Sequence, residues 1–359
     1  MKKVAFFCFI LAGLTLFLSS IPTAVIGGEV TAKNPIKLSW SIAWPPVICT
    51  NRVLAPWYVK EIEKRTGGRV KITIYHGGSL VKGPQTYEGV VNGIADIGTS
   101  RFAMTPGRFP VAMGYEMPGI DYNSAYVSNS VAWELYKKYK PTEMNDTHML
   151  WIDSNGPGFL YTKKPVRTLA DLKGMEIRAD GMVLEAIKLL GGVPVSMPIT
   201  EVYLALQKGV VQGTLDRLGG LKGFRHAEVT KYIEDVRFIY PSAMFFNTMN
   251  LKTWESLPDD IKKVFNDIAD ETVVKSAEVF EEEEKVGLKY ALDKGMEIIR
   301  IPPEEQAKWK ETLKPVQEKW VAEMEAKGLP GKEMLKDQME LAEKYNKQYP
   351  YVRGPKLKE

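Results

Sequence analysis

The sequence predicts an α/β fold divided into two lobes, and three features carry that expectation. Between Thr168 and Arg217 short strand-like segments alternate with amphipathic ones, the order that builds a parallel sheet covered by helices. A helix that ends in glycine and runs into a short strand occurs twice, at Gly93-Ile94-Ala95-Asp96-Ile97 and at Gly209-Val210-Val211-Gln212-Gly213. Eight residues beyond each of those first glycines stands an arginine, Arg101 and Arg217, so each lobe aims one strand at a common cleft. With 359 residues, the chain exceeds what one small core usually holds.

Lys2 and Lys3, an apolar run from Val4 to Leu18 and then small residues have the layout of a secretory signal, read here as residues 1–27. The apolar run is short for a spanning helix, which needs about 20 residues. With Cys8 removed, Cys49 is alone beside Val47 and Ile48 and is expected to be a buried small residue.

Residues 28–155 form the N-terminal part of lobe I. Ile36 to Ser41 reads as its first strand and arrives at Trp44-Pro45-Pro46, where the prolines hold an aromatic ring at the cleft end. Trp44 either stacks on a ligand or packs in the rim. Val53 to Lys64 is an amphipathic helix stopped at Thr66-Gly67-Gly68, Val70 to Tyr75 alternates as a strand, and Gly83 to Asn92 is helical. Thr105 to Tyr122, rich in Gly, Pro and Met, is irregular; Ala125 to Lys140 is a helix and Leu150 to Asp153 a strand. The loop Ser154-Asn155-Gly156-Pro157-Gly158-Phe159 crosses to lobe II, whose main part is 156–240, and Phe159 at its end is a candidate ligand contact.

In lobe II, Thr168 and Asp171 form a capping-box pattern. Met175, Ile177 and Ala179 alternate with Glu176 and Arg178, so Arg178 points away from the face those apolar residues cover. Ligands bind beyond the carboxyl ends of parallel strands. An arginine there suits a bidentate clamp on a carboxylate or phosphate; the plain alternative is an ion pair with Asp180. Met182 to Leu190 is a helix ending at Gly191-Gly192, Val193 to Met197 a strand, and Thr200 caps the next helix. A second crossover follows Tyr232. Residues 241–282 return to lobe I and enter a long helix that Pro258, Asp259 and Asp260 open and that continues towards Asp293. Its acid run Glu281 to Glu284 is expected to be a solvated face. Residues 283–359 supply C-terminal helices packing on lobe II.

The net charge is +4 with acids and bases interspersed, so no nucleic-acid partner is expected. None of His76, His148 and His226 has metal-ligand spacing, and no GxSxG elbow, phosphate-binding Gly-Lys loop or GxGxxG occurs. A binding role without a cofactor is expected; an enzyme assembled from distant residues on the same scaffold is an alternative.

ADLKGMEIRAD followed by LLGGVPVSMPITEVYLALQKGVVQG resembles the core signature of the substrate-binding proteins of tripartite ATP-independent periplasmic (TRAP) transporters, the DctP family. GGRVKITIYHGGSL, VVNGIADIG and NLKTWESLPDDIKKVF extend the likeness over nearly the whole chain. The resemblance implies a two-lobed, periplasmic-binding-protein-like fold (type II-like), its lobes joined by crossover strands and a long helix. It implies a periplasmic protein, after signal cleavage, that captures a small carboxylate-containing organic acid between the lobes. It further implies delivery to the small and large integral membrane subunits of a permease. In that family the arginine of the GxxIR strand binds the substrate carboxylate, and that position is Arg178. Binding components of ATP-driven importers share the architecture, so the fold alone does not separate the two classes.

The pattern departs from the family at several places. Gln212 replaces an acid after the EVY helix. Members that bind sialic acid or dicarboxylates carry a second arginine where this chain has Gly158, an asparagine where it has Asp216, and a cleft phenylalanine where it has Ile199. Asn250 matches a family asparagine with either a structural or a ligand role. The departures imply a ligand with one clamped carboxylate and a hydroxyl, an amine or a bridging cation facing Asp216, not a simple dicarboxylate. Arg101 and Arg217 are the side chains able to restore the missing charge.

Overall fold

The computed structural model describes residues 30–350; the expected signal peptide and the KLKE tail lie outside the described residues. The first lobe opens with β1 (Ile36–Ile42), α1 (Ala55–Arg65), β2 (Val70–Tyr75), α2 (Thr86–Val91), β3 (Ile97–Arg101), α3 (Pro110–Met113), α4 (Ala125–Tyr139) and β4 (Thr147–Ser154). The second comprises β5 (Phe159–Thr162), α5 (Leu169–Leu172), β6 (Glu176–Arg178), α6 (Val183–Leu189), β7 (Val193–Val195), α7 (Val202–Lys208), β8 (Gly213–Asp216), α8 (Gly219–Gly223) and β9 (Tyr232–Asp235). Then follow β10 (Met244–Asn250), α9 (Leu251–Ser256), α10 (Asp259–Asp293), β11 (Glu297–Arg300), α11 (Pro303–Ala326) and α12 (Gly331–Gln348).

Two sheets result, ordered β2-β1-β3-β10-β4 and β11-β9-β5-β8-β6-β7. The stretch read from Thr168 to Arg217 forms the expected parallel trio, β6 lying between β8 and β7. Gly191 (φ 89°) and Gly209 (φ 77°) turn the chain in the left-handed region after α6 and α7, which a side chain would strain. Thr200 does not cap α7: a 3-10 turn, Ile199–Glu201, precedes the helix and puts Glu201 at its N-cap. The crossover segments pair with each other, Asn155 N donating to Ala243 O at 3.2 Å and Gly158 N to Tyr240 O at 2.8 Å.

The long helix α10 touches both lobes, packing on α4 and β4 and on α8. Gly287 lets it reach the second lobe, since a Cβ there would stand 2.1 Å from Leu218 O. Its acid run is the solvated face expected only in part: Glu282 is exposed, but Glu281 and Glu284 are buried. Glu281 Oε1 accepts from Ala125 N at 2.7 Å, and the Glu284 carboxylate accepts from Leu218 N and Gly219 N, each at 2.9 Å. Carboxylates at two helix starts satisfy amides that have no partner within the helix.

The C-terminal helices also depart from expectation. In α11, Trp309 and Leu313 enter the core of the second lobe, but Val316, Trp320 and Met324 enter that of the first. Met334 and Ala342 of α12 join the first lobe's core, and α12 packs on α4. An apolar stripe requires a partner surface, but its spacing does not say which lobe supplies it.

Several buried titratable groups set the pH dependence of stability. Burial pushes Glu116 up to about 7, Asp153 to about 6 and Glu234 to about 8. It pushes His148 down to about 4 and His226 to about 3. A raised carboxyl contributes stability at low pH that is lost as pH rises through its folded value; a lowered histidine costs stability as pH falls below its unfolded value. The melting temperature is therefore expected to fall from about pH 5 towards about pH 8, and to fall less steeply in Glu234→Gln. A flat profile over that range, measured by differential scanning calorimetry, would contradict these assignments.

Candidate functional site

A cavity of about 420 Å³ opens between the lobes, within the range of pockets that enclose small organic ligands. Trp44, Phe245 and Phe280 line it from the loop after β1, from β10 and from α10; Phe224, Met197 and Tyr240 line it from the second lobe and its crossover. Trp44 and Phe245 meet edge to face at 5.2 Å between ring centres. Part of the first lobe's polar wall is paired within itself. Trp40 Nε1 donates to Thr99 Oγ1 at 2.8 Å, Thr99 Oγ1 to Asn247 Oδ1 at 2.7 Å, and Asn247 Nδ2 to Asp153 Oδ1 at 2.8 Å. Groups so paired shape the cleft without drawing in a ligand of their own.

Arg178 stands at the end of β6, almost wholly buried yet lining the cavity. Its Nε donates to Met197 O at 3.2 Å and its Nη2 to Asp180 Oδ2 at 2.8 Å. Strand-end placement and the ion pair with Asp180, set against each other in the sequence, therefore hold together. Arg101, at the end of β3, also lines the cavity and donates from Nη1 to the same Asp180 Oδ2 at 2.7 Å. Burial works against the Asp180 carboxylate, but the two guanidiniums outweigh it and hold the group down to about 2.

Asp216 and Arg217 follow at the end of β8 and line the cavity too. Asp216 Oδ1 accepts from Arg217 N at 2.9 Å, and its Oδ2 lies 3.6 Å from His226 Nδ1. Burial raises the Asp216 carboxyl above its ordinary range, moderated by Arg217 and Arg178. The Arg217 guanidinium sits 5.5 Å over the Phe280 ring, with Nη1 3.6 Å from Glu284 Oε1. Among the described residues, no group of three or more His, Cys, Asp or Glu is arranged to hold a metal ion.

The structure thus brings Trp44, Arg101, Arg178, Asp216 and Arg217 to one cavity and leaves two candidates outside it. Phe159 is the first residue of β5, not the end of a loop, and packs with Leu218 and Leu221 in the second lobe's core. Asn250 caps α9: its Oδ1 accepts from Thr253 N at 2.9 Å and its Nδ2 donates to Val90 O at 2.7 Å, the structural of its two roles.

Tyr240 is the site residue that pattern reading missed, because a single aromatic in an irregular crossover carries no periodicity. A Cβ at Gly158 would stand 1.7 Å from Tyr240 Cδ1. The ring fills the space that a side chain at position 158 would enter, so the glycine and the tyrosine belong together.

Comparison with known proteins agrees with this geometry. The model of the DctP family, described as bacterial extracellular solute-binding protein, family 7, matches residues 55–324. The fold is similar to that of a TRAP periplasmic solute-binding protein from Desulfovibrio salexigens DSM2638, whose open complex holds the C-terminus of a symmetry mate in its ligand-binding site. The two share 34% identity with a TM-score of 0.81, over 89% of this chain and 98% of that one. It is also similar to a TRAP solute-binding protein from Rhodoferax ferrireducens T118 in complex with copurified benzoate, at 26% identity and a TM-score of 0.79, over 88% and 99% of the two chains. A third similar structure, from an unidentified microbe of a marine metagenome, is specific for aromatic acid ligands and was co-crystallised with 3-hydroxybenzoate. Its identity is 27% and its TM-score 0.79, over 87% and 99%. No helix among the described residues is long and apolar enough to cross a membrane. With a family match that runs from α1 into α11 and takes in both lobes and the cleft between them, the chain belongs to the DctP family of TRAP-transporter substrate-binding proteins.

Proposed function

We propose that the protein captures a small organic acid with one carboxylate and an apolar, ring-sized body, and delivers it to the small and large membrane subunits of a TRAP permease. One observation carries this reading: Arg178 reaches a cavity whose other walls are largely aromatic and aliphatic. The guanidinium pairs with the ligand carboxylate in a charge-assisted contact, and the apolar walls cover the rest. A second carboxylate has no partner where Tyr240 displaces the family arginine, and near Asp216 it meets a like charge. The benzoate and 3-hydroxybenzoate bound by similar proteins support the aromatic monocarboxylate class.

A thermal-shift screen of small acids tests it. Ligand at about 100 times its Kd stabilises by about 2.7 kcal/mol, enough to raise the midpoint by several degrees. Benzoate, 3-hydroxybenzoate and mandelate are expected to shift the midpoint, and succinate, malate and fumarate are not. A larger shift with 3-hydroxybenzoate than with benzoate, lost in Asp216→Asn, identifies Asp216 as the acceptor of a ligand hydroxyl. The largest shift coming from a dicarboxylate overturns the proposal.

A further inference from the structure

Across the cleft itself runs a chain of polar contacts that passes through Arg101 and Asp180. On the first-lobe side, Met244 N donates to Glu116 Oε1 at 2.6 Å, and Glu116 Oε2 lies 3.5 Å from Arg101 Nη2. On the second-lobe side, Arg178 is fixed between Met197 O and Asp180 Oδ2. The crossing is the 2.7 Å contact of Arg101 Nη1 with that same Asp180 oxygen. One carboxylate oxygen therefore serves an arginine from each lobe. Separating the lobes must break this contact.

The geometry at Arg178 adds a second constraint. A guanidinium presents five N–H donors in a plane. Nε and one Nη2 hydrogen are used by Met197 and Asp180, which fixes the orientation of that plane and leaves the Nη1/Nη2 edge for a ligand carboxylate. Asp180 thus touches the clamp and the opposite lobe at once.

Resting on the carboxylate-capture reading above, we propose that Asp180 is a positioning residue coupling acid capture to lobe closure: it orients Arg178 for the ligand and ties that arrangement to Arg101 across the cleft. A closed cleft holds the acid because the ligand cannot leave until the Arg101–Asp180 contact opens. The contact then governs the rate of escape more than the rate of entry, since entry takes place while the lobes are apart.

Stopped-flow binding of benzoate to the full chain tests this, with the best acid of the screen replacing benzoate if benzoate gives no shift. Asp180→Asn, close in shape but without the charge, is expected to raise the dissociation rate at least about tenfold and to leave the association rate within about threefold. Arg101→Met is expected to do the same, Arg101→Lys to recover part of the loss, and the double variant Asp180→Asn/Arg101→Met to be no worse than either single one. Small-angle scattering at saturating ligand should show less compaction in the variants than in the parent chain. Additive effects in the double variant, a loss carried by the association rate, or unchanged dissociation overturns the coupling. Melting temperatures separate these outcomes from misfolding, which the conservative Arg101→Lys variant is chosen to avoid. If the parent binds acids and Asp180→Asn behaves like it, only this inference falls; if no acid binds the parent, the functional reading falls and takes the coupling with it.

Discussion

Replacement of Arg178 by alanine is expected to abolish measurable acid binding while leaving the protein folded. The side chain is the cleft guanidinium best placed to meet a carboxylate: Arg217 lies against Phe280 and Glu284, and Arg101 is engaged by Asp180 and Glu116. Removing one member of a desolvated ion pair costs about 3–5 kcal/mol, more than a hundredfold in Kd. Arg178→Lys should recover little. An ammonium on a flexible stem cannot hold Met197 O and Asp180 Oδ2 while also presenting a flat edge to the ligand. Isothermal titration of benzoate into the parent and both variants measures the loss, and circular dichroism confirms the fold. Unchanged affinity in the alanine variant removes Arg178 from the site, and a lysine variant as tight as the parent shows that charge alone suffices.

The features legible in the sequence share a physical origin. Val70 to Tyr75, Arg178 and the start of α10 were readable because each is fixed by local rules: alternation along a strand, a strand end opposite an apolar face, and proline followed by acids at a helix start. The crossover strand β5, whose first residue Phe159 the sequence places at the end of a loop, gives no strand signal because Phe-Leu-Tyr-Thr is too short to show alternation and follows Gly-Pro-Gly. All four of its residues are buried, so they have no polar side to reveal the period. Asp180 was legible only as one of two competing readings of Arg178. Arg101, 79 residues earlier, makes it a bridge between lobes, and no spacing rule reaches that far. Glu281 and Glu284 looked solvated for a related reason. What buries them is the backbone of Ala125, Leu218 and Gly219, brought to α10 by the tertiary fold.

The pair of Gly158 and Tyr240 gives the test with the sharpest change of specificity. Gly158→Arg alone should bind neither monocarboxylates nor dicarboxylates well, because its Cβ would overlap the Tyr240 ring at 1.7 Å. Overpacking of this kind costs about 1–3 kcal/mol, and the displaced ring blocks the cavity it now lines. Tyr240→Ala alone should weaken benzoate binding by loss of a wall, and it costs the fold on the order of 3–5 kcal/mol, the usual loss when a buried aromatic is truncated. Together the two substitutions should do what neither does singly. With the ring gone, the new guanidinium gains room beside the cavity, where a second ligand carboxylate finds the partner it lacks in the parent chain. A hydrogen bond to a charged group contributes about 1.5–3 kcal/mol, so succinate should gain about tenfold or more over the parent while benzoate loses affinity. Titration of both acids into the four proteins of the cycle reads this as a coupling between the substitutions. If the double variant merely sums two losses and succinate gains nothing, then Tyr240 is only a wall, and the exclusion of dicarboxylates must come from the negative charge of Asp216.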